Sequence, residues 1–165
     1  MKTRSAVAGS ALFFLAAPGV VAGLAPWWIT RGYAHPLAES LVQRGLGLLF
    51  VAAGLAFLLH AFSRFILEGK GTPAPVAPTE RLVIGGVYRY VRNPMYLAVI
   101  GVIVGQALFF GSWSLAGYAA AAATVMAAFV HFHEEPVLAA RYGDQYDRYR
   151  RAVPGWLPRL TPWRP

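Results

Sequence analysis

The longest uncharged segment of the chain, residues 93–133, contains no Asp, Glu, Lys or Arg. A membrane-spanning helix needs roughly 20 apolar residues, so a segment of this length can cross a bilayer twice. Gly111 and Ser112 lie near its middle and supply a reversal. Polar residues mark both ends, with Arg92 to Tyr96 at the start and Glu134 with Glu135 immediately after the end. Two crossings return these clusters to one membrane face, which predicts a charged pocket there.

Composition places the chain among membrane proteins. Hydrophobic residues make up 57% of its 165 residues and charged residues only 13%, whereas soluble domains contain roughly 25% charged residues. The absence of cysteine excludes disulfides, thiolate metal sites and cysteine nucleophiles. The formal net charge of +8 comes from basic residues that flank apolar segments, so membrane topology explains it better than nucleic-acid binding does.

Two further uncharged segments, Ser5–Thr30 and Gly45–Ser63, are each long enough to span a bilayer. We therefore predict an all-α integral membrane protein with four membrane-spanning helices, at approximately 6–28, 42–63, 94–110 and 113–133. A secretory signal peptide is the competing interpretation of the first segment, because Lys2 and Arg4 precede its apolar core. The length of the segment and the interfacial pair Trp27–Trp28 favour a span.

The predicted organisation is a single domain over residues 1–165. Its parts are two N-terminal spans (1–63), a loop (64–93), a helical hairpin (94–133) and a tail (134–165). Four crossings place all Lys and Arg residues except Arg31 and Arg44 on one side, and the positive-inside rule makes that side cytoplasmic. We expect an integral protein of the bacterial inner membrane, that is, the cell membrane, with both termini in the cytoplasm.

The segments outside the spans have distinct patterns. Three prolines and two glycines between Glu68 and Glu80 exclude a helix and predict a loop. After Arg141, tyrosines at helical spacing among charged residues predict an amphipathic interfacial helix. Trp156 and Trp163 are expected to hold the remaining tail at the level of the lipid headgroups.

Asn93 and Pro94 mark the start of a helix, with Asn93 as the capping residue and Pro94 at the first helical position. The amino terminus of a helix attracts anions, and Arg89 and Arg92 add positive charge. Gly85 and Gly86 would allow the backbone to approach a ligand closely. The alternative is that the arginines contact lipid phosphates while nearby tyrosines form an interfacial belt.

Glu134 and Glu135 follow the last span, where two adjacent carboxylates are costly unless they are paired or exposed. A solvated helix end is the simpler interpretation, and a paired site is the functional one. His131 and His133 lie two positions apart on a helix, so they point about 200° apart and cannot readily share one ion. No metal site is predicted.

Several ordered motifs resemble the isoprenylcysteine carboxyl methyltransferase and phospholipid N-methyltransferase superfamily. They are Gly86-Val-Tyr-Arg-Tyr-Val-Arg-Asn-Pro-Met-Tyr96, the pair Glu134-Glu135, Tyr142-Gly-Asp-Gln-Tyr-Asp-Arg-Tyr149 and Val153-Pro154. The likeness covers roughly the last half of the chain, and several motifs in order are more specific than any one alone. The first two helices match only as generic spans.

The resemblance implies an S-adenosylmethionine-dependent membrane methyltransferase that acts on a lipophilic acceptor entering from the bilayer. Carried over by position, the implied cofactor-binding residues are Glu80, Arg81, Leu82, Val83, Tyr88, Asn93, Pro94, Met95, Tyr96 and Glu134. The positive charge of Arg92 at the helix start adds this residue to the set. In this assignment the helix start with Arg92 holds the methionyl carboxylate, and Glu134 or Glu135 takes the ammonium or ribose hydroxyls. Candidate catalytic residues are His131, His133 and Glu135.

The chain departs from the resembled pattern in two places. Asn93 stands where the carboxyl methyltransferases usually have histidine, although bacterial relatives commonly carry asparagine. The substrate arginine expected shortly before the glutamate pair has no counterpart, which makes a prenylcysteine carboxylate less favoured than a phospholipid amine or another small lipophilic acceptor. Two alternatives stay open, a membrane reductase that uses a nicotinamide cofactor and a non-enzymatic membrane subunit. The sequence does not indicate an oligomeric state.

Overall fold

The computed structural model describes residues 16–68 and 81–164, and these residues form helices and turns without a β-strand. The N-terminal residues of the first predicted span and most of the predicted loop before Arg81 lie outside the described residues. Helices α1 to α5 and one 3₁₀ turn make up the described part. Their bounds are α1 Val20–Ile29, α2 Leu41–Leu67, the 3₁₀ turn Gly86–Arg89, α3 Pro94–Phe110, α4 Trp113–Tyr142 and α5 Asp144–Ala152.

Among the described residues, α2 and α4 are long and apolar enough to cross a membrane. Helix α3 and the described part of α1 are shorter apolar helices. The predicted bounds of α3 are confirmed, because Pro94 occupies the first helical position and Gly111 ends the helix in the left-handed conformation, at φ 61°. Four crossings remain a prediction.

The last predicted span extends farther than we expected. Helix α4 does not end at residue 133 but continues through the glutamate pair to Tyr142, where Gly143 adopts φ 49° and breaks it. The predicted amphipathic helix is present as the separate helix α5. The sequence prediction ended α4 too early because it treated charge as a helix boundary, although glutamate itself is a good helix former.

Helices α2 and α3 pack closely through glycine. A Cβ atom on Gly105 would lie 2.8 Å from the Val51 backbone nitrogen and 2.7 Å from the Gly47 carbonyl oxygen. Small residues permit such a backbone approach between membrane helices. Leu58 and Phe62 of α2, Val99 and Ile103 of α3 and Ala119 of α4 continue the contact as a buried apolar core.

Helix α1 contains a π-helical turn, Val20–Leu24, just before Pro26. Proline has no N–H and its ring displaces the carbonyl four residues earlier, so the turn widens. Side chains from other segments donate to three carbonyls of this turn. They are Tyr118 to Val21 (2.9 Å), Gln106 to Ala22 (2.7 Å) and Tyr33 to Gly23 (3.2 Å). These bonds attach α1 to α3 and α4.

The chain after α5 runs back along the segment that precedes α3. The backbone N–H groups of Arg92 and Asn93 donate to the carbonyls of Pro154 (2.9 Å) and Gly155 (3.2 Å). The Trp156 ring packs against Tyr96 and the Trp163 ring against Tyr149. Both tryptophans are therefore half-buried against the protein, and their expected position at the level of the lipid headgroups stays a prediction.

Candidate functional site

A cavity of about 500 Å³ lies between the start of α3, the second half of α4 and the 3₁₀ turn. Drug-sized ligands and cofactors occupy cavities of roughly 300 to 1,000 Å³. Its wall is mostly apolar, with polar groups concentrated in a few positions. The polar and aromatic residues of the lining are Phe62, Tyr88, Arg92, Asn93, Tyr96, Phe129, His133, Glu134, Glu135, Arg141, Tyr142, Tyr146 and Tyr149.

The two polar clusters that bound the uncharged segment meet in this cavity. The Arg92 guanidinium donates to Glu135 Oε1 at 2.6 Å, to the Tyr146 hydroxyl at 3.0 Å and to the Val153 carbonyl at 2.9 Å. Arg150 approaches the other oxygen of Glu135 at 3.3 Å. A buried charge is tolerated when it is paired in this way. Arg92 and Glu135 therefore hold α3, α4 and α5 together.

Glu134 has a different environment from its neighbour. The Tyr96 hydroxyl donates a short hydrogen bond to Glu134 Oε1, and no Lys or Arg in the described part of the chain pairs with this carboxylate. An ionised carboxylate accepts several hydrogen bonds on its two oxygens. Glu134 thus keeps acceptor capacity within the cavity.

The backbone at Glu134 is itself irregular. Residues Val130–Glu134 form a π-helical turn in which the Glu135 N–H bonds to the Val130 carbonyl. Pro136 follows two residues later and removes the N–H that the Phe132 carbonyl would otherwise accept. Single π-helical turns of this kind occur frequently at functional sites. The same proline spacing produces both π-helical turns of the described residues.

Asn93 supplies an unused donor. Its side-chain nitrogen, Nδ2, is buried and has no hydrogen-bond partner among the described residues. The predicted side-chain cap is wrong, since Asn93 occupies the capping position of α3 without bonding a helix N–H. The N–H groups of Met95 and Tyr96 therefore also lack a cap, because the first turn of a helix has no internal partners for them. Buried donors without partners are rare in folded proteins and need an explanation.

A model of the phospholipid methyltransferase family matches residues 42–145, which is more than half of the chain. The chain belongs to the phospholipid methyltransferase family. The matched region begins in α2, so this helix is part of the family pattern and more than the generic span we expected. Among the curated proteins and the solved structures, none matches the chain significantly.

Family membership confirms the resemblance drawn from the motifs. The family is one of methyltransferases, which agrees with an apolar helical protein that takes part in lipid methylation. The match does not extend to α1 or to the tail after Gln145. Those segments contribute cavity lining and hydrogen bonds to the matched region nonetheless.

The structure places most of the predicted site residues of this family member around one cavity. Those that line it are Leu82, Val83, Tyr88, Arg92, Asn93, Pro94, Met95, Tyr96, His133, Glu134 and Glu135. Arg81 and His131 are exposed and do not line it. Glu80 lies outside the described residues.

Sequence reasoning missed a second set of lining residues. Phe129, Leu138, Arg141 and Tyr142 line the cavity from α4, and Tyr146 and Tyr149 do so from α5. The signal was present in the spacing, because Leu138, Arg141 and Tyr142 follow Glu134 at intervals of one face of a helix. This spacing indicates a shared face only if α4 continues as a helix past the glutamates.

The glycine pair before Tyr88 serves a different purpose from the one we expected. A Cβ atom on Gly85 would lie 1.9 Å from Glu68 Oε1, and one on Gly86 would lie 2.5 Å from Arg64 Nε. The Gly85 N–H donates to Glu68 Oε2 at 2.8 Å. The close approach is therefore to the end of α2, and it fixes the 3₁₀ turn that carries Tyr88.

Burial controls the ionisation of the tyrosines beneath the cavity. Desolvation raises the pKa of Tyr88 well above its usual value of 10, with smaller contributions from neighbours that include Tyr149 and Glu134. Desolvation also raises the pKa of Tyr149, whose hydroxyl donates to the Tyr88 carbonyl at 2.7 Å. Both phenols therefore stay neutral at physiological pH.

Proposed function

We propose that this protein transfers a methyl group from S-adenosylmethionine to a lipophilic acceptor at the cytoplasmic face of the membrane. The observation that carries the proposal is that a carboxylate and a hydrogen-bond donor lie in one largely apolar cavity. Glu134 offers a carboxylate with unused acceptor capacity, and Asn93 offers a buried donor that has no partner in the described ranges 16–68 and 81–164. Membership in a methyltransferase family supports the same activity.

The lining residues suit the parts of S-adenosylmethionine. Its methionyl carboxylate needs N–H donors, which Asn93 Nδ2 and the uncapped amides of Met95 and Tyr96 supply. Its ammonium or ribose hydroxyls need an acceptor, which Glu134 supplies. Tyr88, Tyr96 and Phe129 offer aromatic surface for the adenine and the sulfonium. Because Glu135 already engages Arg92, we assign the methionyl carboxylate to Asn93 and the start of α3, and not to Arg92.

When bound, S-adenosylmethionine supplies an electrophilic methyl group whose C–S bond breaks with its electron pair remaining on sulfur. The protein has to align an acceptor lone pair with that methyl group and exclude water. Such alignment can contribute about 7 to 11 kcal/mol to lowering the barrier. The apolar wall formed by Val21, Met95, Met126 and Val130 keeps water out of the reaction path.

An acceptor that is protonated in solution, such as an ammonium group, has to lose a proton before its lone pair can attack the methyl group. His133 is the candidate base, because it lines the cavity and stacks on Phe129 with ring centroids 5.0 Å apart. His131 does not reach the cavity lining, and Glu135 is held by two arginines. We therefore place the base at His133 and give Glu135 a structural role.

The four-span topology is part of this proposal. The basic residues on the site side of the chain favour a cytoplasmic location for Glu134 and Asn93. An acceptor with an apolar chain would reach the cavity from the bilayer, since α4 presents exposed apolar residues such as Val125 and Phe132 beside it.

Calorimetry of S-adenosylhomocysteine binding tests the proposal on the purified, detergent-solubilised protein. We expect Glu134→Gln and Asn93→Ala each to weaken binding about tenfold or more, because the first removes the negative charge offered to the ligand and the second removes a donor to its carboxylate. Glu39→Gln is the matched control, since Glu39 is an exposed carboxylate in the loop between α1 and α2. Its affinity should equal that of the parent protein.

Two further measurements separate the alternatives. The parent protein should transfer radiolabelled methyl groups into a total lipid extract, and it should not bind NADPH. Binding of NADPH without S-adenosylhomocysteine would establish the membrane reductase instead. Failure to bind either compound, together with no methyl transfer, would identify a non-enzymatic membrane protein.

A further inference from the structure

Arg141 lies on α4 seven residues after Glu134 and lines the same cavity. Seven residues are close to two helical turns, so the two side chains share one face and are separated by about 10 Å along the helix axis. Leu138 and Tyr142 lie on that face as well and also line the cavity. Arg141 therefore belongs to the site, at a distance from the groups assigned to the cofactor.

Two charged side chains of the cavity lining, Glu134 and Arg141, form no ion pair among the described residues. Arg92 and Glu135 neutralise each other, and Arg150 adds a second cation to Glu135. Within the described part of the chain, the Glu134 side chain accepts a hydrogen bond from the neutral Tyr96 hydroxyl alone. Arg141 forms no ion pair and no side-chain hydrogen bond within residues 16–68 and 81–164, and its guanidinium carbon lies 5.7 Å from the centre of the Tyr142 ring. Its five N–H donors are available to a ligand.

Arg141 is exposed and shares the cavity wall with apolar side chains. Val137 and Leu138 lie within four residues of it on α4, and Phe129 and Val130 line the wall about three helical turns earlier. A guanidinium next to an apolar wall is complementary to an amphiphile that has an anionic group attached to an alkyl or prenyl chain. Phosphate and carboxylate groups both accept paired hydrogen bonds from arginine.

We propose that Arg141 binds the anionic group of the methyl acceptor, which makes the acceptor an anionic lipophile. This inference rests on the proposed function, in which Glu134 and Asn93 serve the cofactor. Arg141 then determines specificity, because it fixes the acceptor's anion near the rim while the reactive atom reaches toward His133. A phosphate ester and a carboxylate are the two sources of such an anion.

Single-chain amphiphiles that differ only in the head group test this role by direct binding. Dodecyl phosphate, dodecanoate and dodecanol are titrated by calorimetry into the protein in a neutral detergent, with S-adenosylhomocysteine present. We expect Arg141→Gln to weaken binding of at least one of the two anions about tenfold or more while dodecanol binding stays unchanged. Arg141→Lys should restore part of the affinity, because it keeps the charge and loses the paired geometry.

Arg148→Gln is the matched control. Arg148 is an exposed arginine on α5 that does not line the cavity, so its loss should leave the affinities for all three amphiphiles unchanged. The anion whose affinity depends more strongly on Arg141 identifies the phosphate or the carboxylate as the acceptor's group.

S-adenosylhomocysteine affinity, measured separately, distinguishes the two proposals. Unchanged cofactor affinity in Arg141→Gln with weakened anion binding supports the assignment. Weakened cofactor affinity with unchanged anion binding would overturn it and give Arg141 to the methionyl carboxylate. Unchanged affinities for all ligands would also overturn the assignment, because Arg141 would then be a solvated charge at the rim that binds none of them. If the parent protein binds the anions but not S-adenosylhomocysteine, the proposed methyl transfer is refuted. Anion binding by Arg141 would then stand, but the anion would no longer be assigned to a methyl acceptor.

Discussion

Two adjacent glutamates in α4 have opposite roles because their surroundings differ. Glu135 is buried at 9% exposure and contacts two arginines, whereas Glu134 contacts a tyrosine hydroxyl and faces the cavity. Adjacent positions on a helix point about 100° apart, so neighbours in sequence readily reach different environments. The glutamate pair indicated a site in the sequence, but the different roles of Glu134 and Glu135 follow only from the side chains that each one contacts.

The buried ion pair leads to a stability prediction. Glu135→Gln leaves Arg92 buried without its counter-charge, so we expect the free energy of unfolding to fall by about 3 kcal/mol and the melting temperature in detergent to fall with it. Glu39→Gln, an exposed carboxylate, should leave the melting temperature unchanged. The double variant Arg92→Gln with Glu135→Gln should lose less than the sum of the single losses. Additive losses would show that the two charges do not interact.

At the scale of the elements, glycine decides how closely α2 and α3 pack. Gly105 and Gly101 lie one turn apart on α3, yet only Gly105 contacts the neighbouring helix backbone. Nothing lies within 4 Å of a Cβ atom placed on Gly101. Composition alone does not distinguish these two positions.

This difference provides a matched pair of substitutions. Gly105→Ala should destabilise the protein by about 1 to 3 kcal/mol, because the added methyl group overlaps the backbone of α2. Gly101→Ala should be neutral or stabilising by up to about 1 kcal/mol, since alanine is the better helix former. Thermal unfolding of both variants in the same detergent measures the contrast. Equal effects would mean that α2 and α3 are not in close contact.

Prolines shape the two irregular helices in the same manner. Pro26 and Pro136 each follow a π-helical turn, and in α1 side chains of α3, α4 and the following loop bond to the widened turn. The carbonyls that the widened turn of α1 exposes are thus bonded by side chains from neighbouring segments.

At the scale of the whole molecule, the predicted topology places the loop before α2 and the tail after α5 on opposite sides of the membrane. The chain has no cysteine, so single introduced cysteines report on sidedness without a background signal. Glu39 and Thr161 are exposed residues in the loop and the tail, respectively. They provide a labelling site on each side.

We expect a membrane-impermeant maleimide to label Glu39→Cys in intact cells and to label Thr161→Cys only after the membrane is opened. The reason is the excess of Lys and Arg on the side that carries the tail. Labelling of both cysteines in intact cells would contradict the four-span topology, and the reversed pattern would contradict its orientation. Labelling after detergent solubilisation controls for the reactivity of each cysteine.

The sequence alone determined the class of the molecule, the bounds of α3 and the meeting of two polar clusters, because charge patterning and helix length follow directly from residue order. Its motifs also indicated the family. Only the tertiary structure decided which charged side chains form ion pairs with one another and which remain available to bind a ligand. Among the residues that the structure describes, Arg92 and Glu135 pair across helices, Glu134 and Arg141 form no ion pair, and Asn93 Nδ2 has no hydrogen-bond partner. Pairing depends on distances between segments remote in sequence, and those distances arise only when the helices pack.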